Sequence, residues 1–118
     1  MKKRNIILIG MPGAGKSSVG VILAKALGYE FIDTDLVIQH REKRLLREII
    51  ADEGNEGFLA IENEVNATLE ADESVIAPGG SAIYGKEAME HFKEIGTIVY
   101  LKLSFPVMAK RLGNLKGR

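Results

Sequence analysis

The segment Gly10-Met11-Pro12-Gly13-Ala14-Gly15-Lys16-Ser17 sets the strongest limit on what this chain can fold into. It satisfies the spacing G-x-x-x-x-G-K-[ST]. It follows an apolar run, Ile6 to Ile9, and precedes a stretch in which Val19, Ile22, Leu23, Ala26 and Leu27 recur at helical spacing until Gly28. That context turns a glycine-rich pattern into an anion cradle. Glycines let the backbone curl so that successive N–H groups point inward, and the helix behind them adds unpaired N–H groups and the positive end of its dipole. Phosphate oxygens are the natural ligand, with Gly13, Ala14, Gly15, Lys16, Ser17 and Ser18 as candidate contacts. Lys16 would bridge the β- and γ-phosphates of a nucleoside triphosphate, and the Ser17 hydroxyl would ligate Mg²⁺.

The apolar pattern downstream alternates between two periods. Ile6-Ile7-Leu8-Ile9 is β-branched and apolar without alternation, as a strand covered on both faces should be. Tyr29 to Ile32 reads as a second strand ending at Asp33-Thr34-Asp35, Ser74 to Ala77 as a third, and Ile98 to Leu103 as a fourth. Between them come a charged helical region over Leu36 to Asp52 that Gly54 and Gly57 interrupt, a helix with the stripe Phe58, Ile61, Val65 and Leu69, and another over Tyr84 to Ile95. Ser104 is placed to cap a last helix, with Pro106 in its first turn. Strand–helix alternation with short connections predicts a parallel sheet flanked by helices, a three-layer α/β/α phosphate-loop NTPase fold in one domain over residues 1–118.

Charge and composition remove other classes. Sixteen Lys+Arg balance sixteen Asp+Glu, so no global field draws the chain to nucleic acid, and phosphate binding must come from local geometry. With no cysteine, disulfides, thiolate metal sites and cysteine nucleophiles are excluded. The apolar run after Met1-Lys2-Lys3-Arg4 is too short for an export segment, and no stretch reaches membrane-spanning length, so a cytoplasmic setting is the natural reading. His40 and His91 lack partners at metal-ligand spacing, and Arg41-Glu42-Lys43-Arg44 reads as a solvated helical face. Phe31, Phe58, Phe92, Phe105, Met108 and Leu112 read as core.

The acceptor of any phosphoryl group must be sought at the C-terminal ends of the strands, where open α/β sheets collect their ligands. Asp33 and Asp35 stand there, two residues apart; extended geometry would lean both carboxylates to one side. One suits a water-mediated metal contact and the other a proton acceptor, while the structural alternative is that one of them simply caps the next helix. Pro78-Gly79-Gly80-Ser81 follows the third strand at the same edge, offering bare backbone to a polar ligand. The chain has no N-K-x-D guanine reader and no apolar strand ending in a well-placed Asp, which favours a kinase of small metabolites over a GTPase or transporter ATPase.

Together, G-M-P-G-A-G-K-S-S-V-G, F-I-D-T-D, G-F-x-x-I-E, A-P-G-G-S-A-I and I-V-Y-L-K-L, in this order, resemble the shikimate kinase family. The resemblance implies a nucleoside-monophosphate-kinase-like fold and transfer of the γ-phosphoryl group of ATP, with Mg²⁺, to a hydroxyl of shikimate. It places Lys16 and Ser17 on ATP and metal, Asp33 near the metal, Asp35 as base and substrate contact, and Gly79 and Gly80 in the acceptor pocket. It also sets Arg111 against the adenine and Arg118 as a first lid arginine. Three departures stand out. Leu59 occupies the place of an arginine that grips the substrate carboxylate, leaving Glu62 without the partner it orients in the family; on this chain alone Glu62 reads equally well as a solvated helix residue. Ser81 replaces a third glycine, and the chain stops at Arg118, which reads as a truncation before the lid, the last strand and the closing helix. The alternatives are therefore a kinase of another hydroxylated metabolite or nucleotide, or a nucleotide-binding module with little catalysis. A monomer is the family expectation, with self-association through exposed sheet surface as the expected cost of truncation.

Overall fold

The computed structural model describes residues 4–10 and 16–101. Its elements follow as β1 (Asn5–Gly10), α1 (Lys16–Leu27), β2 (Glu30–Asp33), α2 (Thr34–Glu42), α3 (Leu46–Ala67), β3 (Ser74–Ala77), a 3₁₀ turn (Ala82–Tyr84), α4 (Lys86–Ile95) and β4 (Gly96–Leu101). The four strands form one parallel sheet in the order β2-β3-β1-β4, with Ile7 opposite both Ile76 and Ile98. Because every strand points the same way, Gly10, Asp33, Ala77 and Leu101 all end at one edge of the sheet. The connections after β1, β2 and β3 are therefore delivered to a common crevice.

Successive strand residues face opposite layers, as the pleat requires. Leu8 and Val75 pack with Ala24 of α1, joined by Val19, Leu23 and Phe31. Ile7, Ile9 and Ile76 face the other way, onto Phe92 and Ile95 of α4, with Leu69 and Met89 beside them. A third cluster, Ile38, Ile49 and Val65, binds α2 to α3 and takes in Phe58 and Ile61. The three-layer parallel arrangement expected from the sequence is what forms.

The N-terminal edge of the sheet is fastened by a residue that sequence patterning passes over. Asn5, 2% exposed, donates through Nδ2 to the carbonyls of Ala71 and Ile95, each at 2.9 Å, and accepts from Ser74 N–H at 3.1 Å. One amide thus joins β1 to the starts of both neighbouring strands.

The helical middle of the chain differs from expectation. The break falls at residues 43–45, where Lys43 adopts φ 56°, ψ 36° and closes α2, and Leu46 N–H then donates to the Gln39 side chain. Gly57 does not interrupt anything; it is helical. Gly54 departs from helical geometry at φ 75°, ψ 174°, a region open to glycine alone, and kinks Leu46–Ala67 into two helical stretches, as expected of a break there. The last described helix starts at Lys86 rather than Tyr84, because the preceding residues tighten into the 3₁₀ turn. The fourth strand begins at Gly96, two residues before its expected start. Phe92 is fully buried and Phe31 and Phe58 are half-buried. His40 is exposed, and the half-buried His91 ring lies 2.6 Å from the Leu69 carbonyl oxygen. The Arg41–Arg44 cluster is more than a solvated face, since Arg44 pairs with Glu42, Asp52 and Glu53 across the α2–α3 junction. Leu103, Ser104, Phe105, Pro106, Met108 and Leu112 lie outside the described residues.

Candidate active site

Three connections converge at the C-terminal edge. The first runs from Gly10 at the end of β1 to Lys16 and Ser17 at the start of α1. Lys16 Nζ donates to the Gly10 carbonyl at 3.0 Å, so the ammonium arches back over the strand end. Ser17 and Ser18 are exposed. Gly13, Ala14, Gly15, Arg111 and Arg118 lie outside the described residues.

The second connection is the Asp33-Thr34-Asp35 corner. Extended geometry does not persist through it: Asp33 is the last residue of β2, and Asp35 is already in the first turn of α2. The helix cap falls on Asp33, whose Oδ1 accepts from Asp35 N–H at 2.9 Å. That bond satisfies one of the orphan donors of the first turn and leaves the Asp35 side chain for other work. Burial, and secondarily the Asp33 charge, push the Asp35 carboxyl above the usual carboxylate range, while the Lys16 ammonium pulls it partly back. Lys16 and Asp35 thus feel each other across the crevice.

The third connection is Pro78-Gly79-Gly80-Ser81. Ala82 N–H donates to the Gly79 carbonyl at 3.0 Å and Tyr84 N–H to the Ser81 carbonyl at 3.1 Å, which fixes the turn. A Cβ on Gly79 would stand 2.9 Å from Asp35 Oδ1 and 3.2 Å from Glu62 Oε2. Only the absence of a side chain lets two carboxylates from two helices converge on this strip of backbone. Gly80 beside it is exposed.

For Glu62 the structure decides between two readings that the sequence left open. It is not solvated: its exposure is 2%. Ser81 Oγ donates to Glu62 Oε1 at 2.8 Å, and Oε2 has no hydrogen-bond partner. Burial first, then the Asp35 charge, raise its pKa, and the Ser81 hydrogen bond opposes them. The sequence offered a weak signal for this placement. Glu62 falls between Ile61 and Val65 of the apolar stripe, where an acid is out of keeping with its neighbours. Leu59, one turn earlier, lines a cavity of about 270 Å³ with Glu62, Ser81, Ala82 and Lys86, the last being the one cationic residue in that wall.

Among the described residues no cluster of three or more His, Cys, Asp or Glu side chains is arranged to hold a metal by itself. Mg²⁺ does not require one, since it keeps several waters and takes phosphate oxygens with one or two protein ligands. Ser17 and Asp33 supply hard oxygen donors on the two connections that flank Lys16, which fits that demand. No described helix is long and apolar enough to cross a membrane.

Comparison with known proteins agrees with this arrangement. The family model for shikimate kinase matches residues 12–118. Shikimate kinase 2 of Yersinia pseudotuberculosis is 38% identical over 109 residues, which are 92% of this chain and 63% of that protein. The shikimate kinase of Acinetobacter baumannii, solved in complex with shikimate, is 36% identical and superposes with a TM-score of 0.80 over 98% of this chain and 65% of its own. The Aquifex aeolicus shikimate kinase, also 36% identical, superposes with a TM-score of 0.76 over 87% of this chain and 62% of its own. The chain therefore spans somewhat under two thirds of the length of these relatives.

Proposed function

The chain belongs to the shikimate kinase family, and on that premise we propose that it serves ATP-dependent phosphoryl transfer to a hydroxyl of shikimate. The observation that carries the reading is the meeting of Lys16, Asp35 and the bare backbone of Gly79 at one edge of the sheet. A phosphate-binding lysine, a carboxylate base and an open acceptor surface are what such a transfer needs.

The roles follow from placement. Lys16 leaves the Gly10 carbonyl to neutralise the β- and γ-phosphates, and the helix behind it adds its N-terminal dipole. Ser17, with Asp33 through water, would hold Mg²⁺, which supplies charge neutralisation on the phosphate oxygens when bound. Asp35 accepts the proton of the acceptor hydroxyl as that oxygen bonds to the γ-phosphorus and the bond to the β–γ bridging oxygen breaks. Its raised pKa makes it a stronger base than a solvated aspartate. Gly79 and Gly80 admit the polyol ring to the backbone.

Leu59 favours a second reading of the acceptor, because an aliphatic side chain forms no ion pair with a substrate carboxylate. On that reading the same machinery serves a different small hydroxylated molecule. Steady-state ADP release measured against a panel of cyclic and linear polyols, with and without a carboxylate, separates the two. Stimulation by shikimate supports the first; stimulation by another polyol with none by shikimate overturns it. Nucleotide binding with no acceptor-stimulated turnover at all would reduce the chain to a binding module.

A further inference from the structure

Among the described residues, the buried side-chain atoms without a hydrogen-bond partner are Thr34 Oγ1, Glu62 Oε2 and both amide atoms of Asn66. Glu62 is the only ionisable residue in this set, and the only one that converges with Asp35 on the face of Gly79. A carboxylate oxygen in that position is costly to leave empty-handed, and a donor arriving from a ligand relieves the cost. What holds Glu62 there is not its own helix. A glutamate has three side-chain torsions, and burial alone does not select among them.

We propose that Ser81 is a positioning residue for the acceptor: its hydroxyl engages Glu62 Oε1 and so turns Oε2 toward the Gly79 face, opposite Asp35 Oδ1, where the two carboxylates together receive hydroxyl donors of the polyol. The proposal rests on the acceptor reading given above and adds a residue to it. Three features support it. The Ser81 hydroxyl lies 2.8 Å from Oε1, a full hydrogen bond to a carboxylate. Ser81 itself is held by the turn, since Ala82 N–H is bound to Gly79 O and Tyr84 N–H to Ser81 O. The anchor is therefore backbone-rigid, and the orientation it imposes passes directly to Oε2. A glycine at position 81 would leave both Glu62 oxygens without partners.

The groups that face Glu62 come from several elements. Asp35 stands at the start of α2, with Asp33 and the Lys16 ammonium acting on it. Ser81 is in the turn, and Lys86 and Glu87 share the cavity wall from the start of α4. Asp35 and burial work against the ionised form of Glu62, and the Ser81 hydrogen bond works for it. A polyol binds more weakly to a protonated Glu62, because an acid that must donate competes with the hydroxyls it should receive.

The test compares the full chain with Ser81→Ala and Ser81→Thr by two readouts. One is the midpoint of the Glu62 carboxyl titration, followed by ¹³C NMR without acceptor. The other is calorimetric shikimate affinity, with ADP affinity as control. Ser81→Ala is expected to raise the Glu62 midpoint and weaken shikimate by about tenfold, with ADP unchanged, as loss of one hydrogen bond to a charged group implies. Ser81→Thr, which keeps the hydroxyl, is expected to restore both. An unmoved Glu62 midpoint in Ser81→Ala overturns the proposal, as does unchanged shikimate affinity, or equal loss in the alanine and threonine variants. A wild-type protein that binds no shikimate while the midpoint still moves overturns the acceptor reading; Ser81 is then structural and the proposal falls with it. The titration separates that case from failure of the hydrogen bond itself.

Discussion

Gly79→Ala is the perturbation that most directly interrogates the acceptor surface. The added methyl would stand 2.9 Å from Asp35 Oδ1 and 3.2 Å from Glu62 Oε2, so both carboxylates must withdraw. Gly79 is not among the described glycines with positive φ, so its backbone accepts alanine. The folding terms then nearly offset: reduced chain entropy in the unfolded state favours the variant by about 0.4–1 kcal/mol, and overpacking costs about 1–3 kcal/mol. Since the displaced atoms are side-chain ends rather than backbone, the lower part of that cost applies. The net effect is a loss of about 0.5 kcal/mol, or roughly 2–3 °C in Tm for a domain of this size. The acceptor suffers far more. Its seat loses space and two oriented carboxylate oxygens, each a charge-assisted contact of about 1.5–3 kcal/mol, so loss of both corresponds to at least a hundredfold in affinity. Calorimetric titration with shikimate, beside a melting curve and an ADP titration, reads all three quantities. A variant that keeps shikimate affinity while melting normally would refute the convergence of Asp35 and Glu62 on the acceptor.

Other outcomes follow from the same structure. Asp35→Asn keeps shape and removes the base, so kcat should fall by about 10²–10⁴-fold with nucleotide affinity retained; a smaller fall would assign the proton to another acceptor. Wild-type activity should also decline on acidification along a limb lying above the ordinary aspartate range, because the Asp35 carboxyl is raised, and a limb at the ordinary value would contradict its burial. Glu62→Gln should stabilise the fold at neutral pH. The native carboxyl has the raised pKa, so the unfolded chain holds fewer protons between the ordinary glutamate value and the native one, and wild-type stability drops as pH rises through that window. The difference in Tm between variant and wild type should therefore grow with pH there, and a constant difference would refute the linkage. Asn5→Ala removes three hydrogen bonds at once, two of them buried, and should cost about 2–4 kcal/mol by urea unfolding; a cost below about 1 kcal/mol would show that water replaces the amide.

Much of this molecule is legible in one dimension, for a physical reason. Strand β3, Ser74–Ala77, was found residue for residue, and β1 nearly so, because a strand buried on both faces shows an uninterrupted apolar run. The glycine-rich segment before α1 reads as a phosphate loop because such chemistry is carried by backbone amides and by residue types at fixed spacing. Gly54 and Gly57 look alike as text, yet one adopts φ 75° and the other is helical. Ile49 before the kink and Phe58 after it pack into one cluster, a long-range contact that the text of the segment does not show. Which of the two aspartates caps α2 is hidden for a similar reason: it depends on where the strand ends, and Asp33 pairs with Ala77 of β3 as the last residue of β2.

The sequence by itself determined the parallel α/β architecture and the aspartates and glycines that follow β2 and β3 at the C-terminal edge of the sheet. Tertiary structure alone decided what Glu62 and Ser81 do. They are nineteen positions apart, on a helix and in a turn, and the 2.8 Å contact between them forms where α3 packs against the 3₁₀ turn that follows Ser81. Periodicity reports which face of a helix is inward; it carries no information about which side chain from a distant turn will meet that face. The glycine-rich spacing that first constrained the chain is the basis for the phosphate end of the proposed site, and the buried pair of Glu62 and Ser81, brought together by packing, is the basis for its proposed acceptor end.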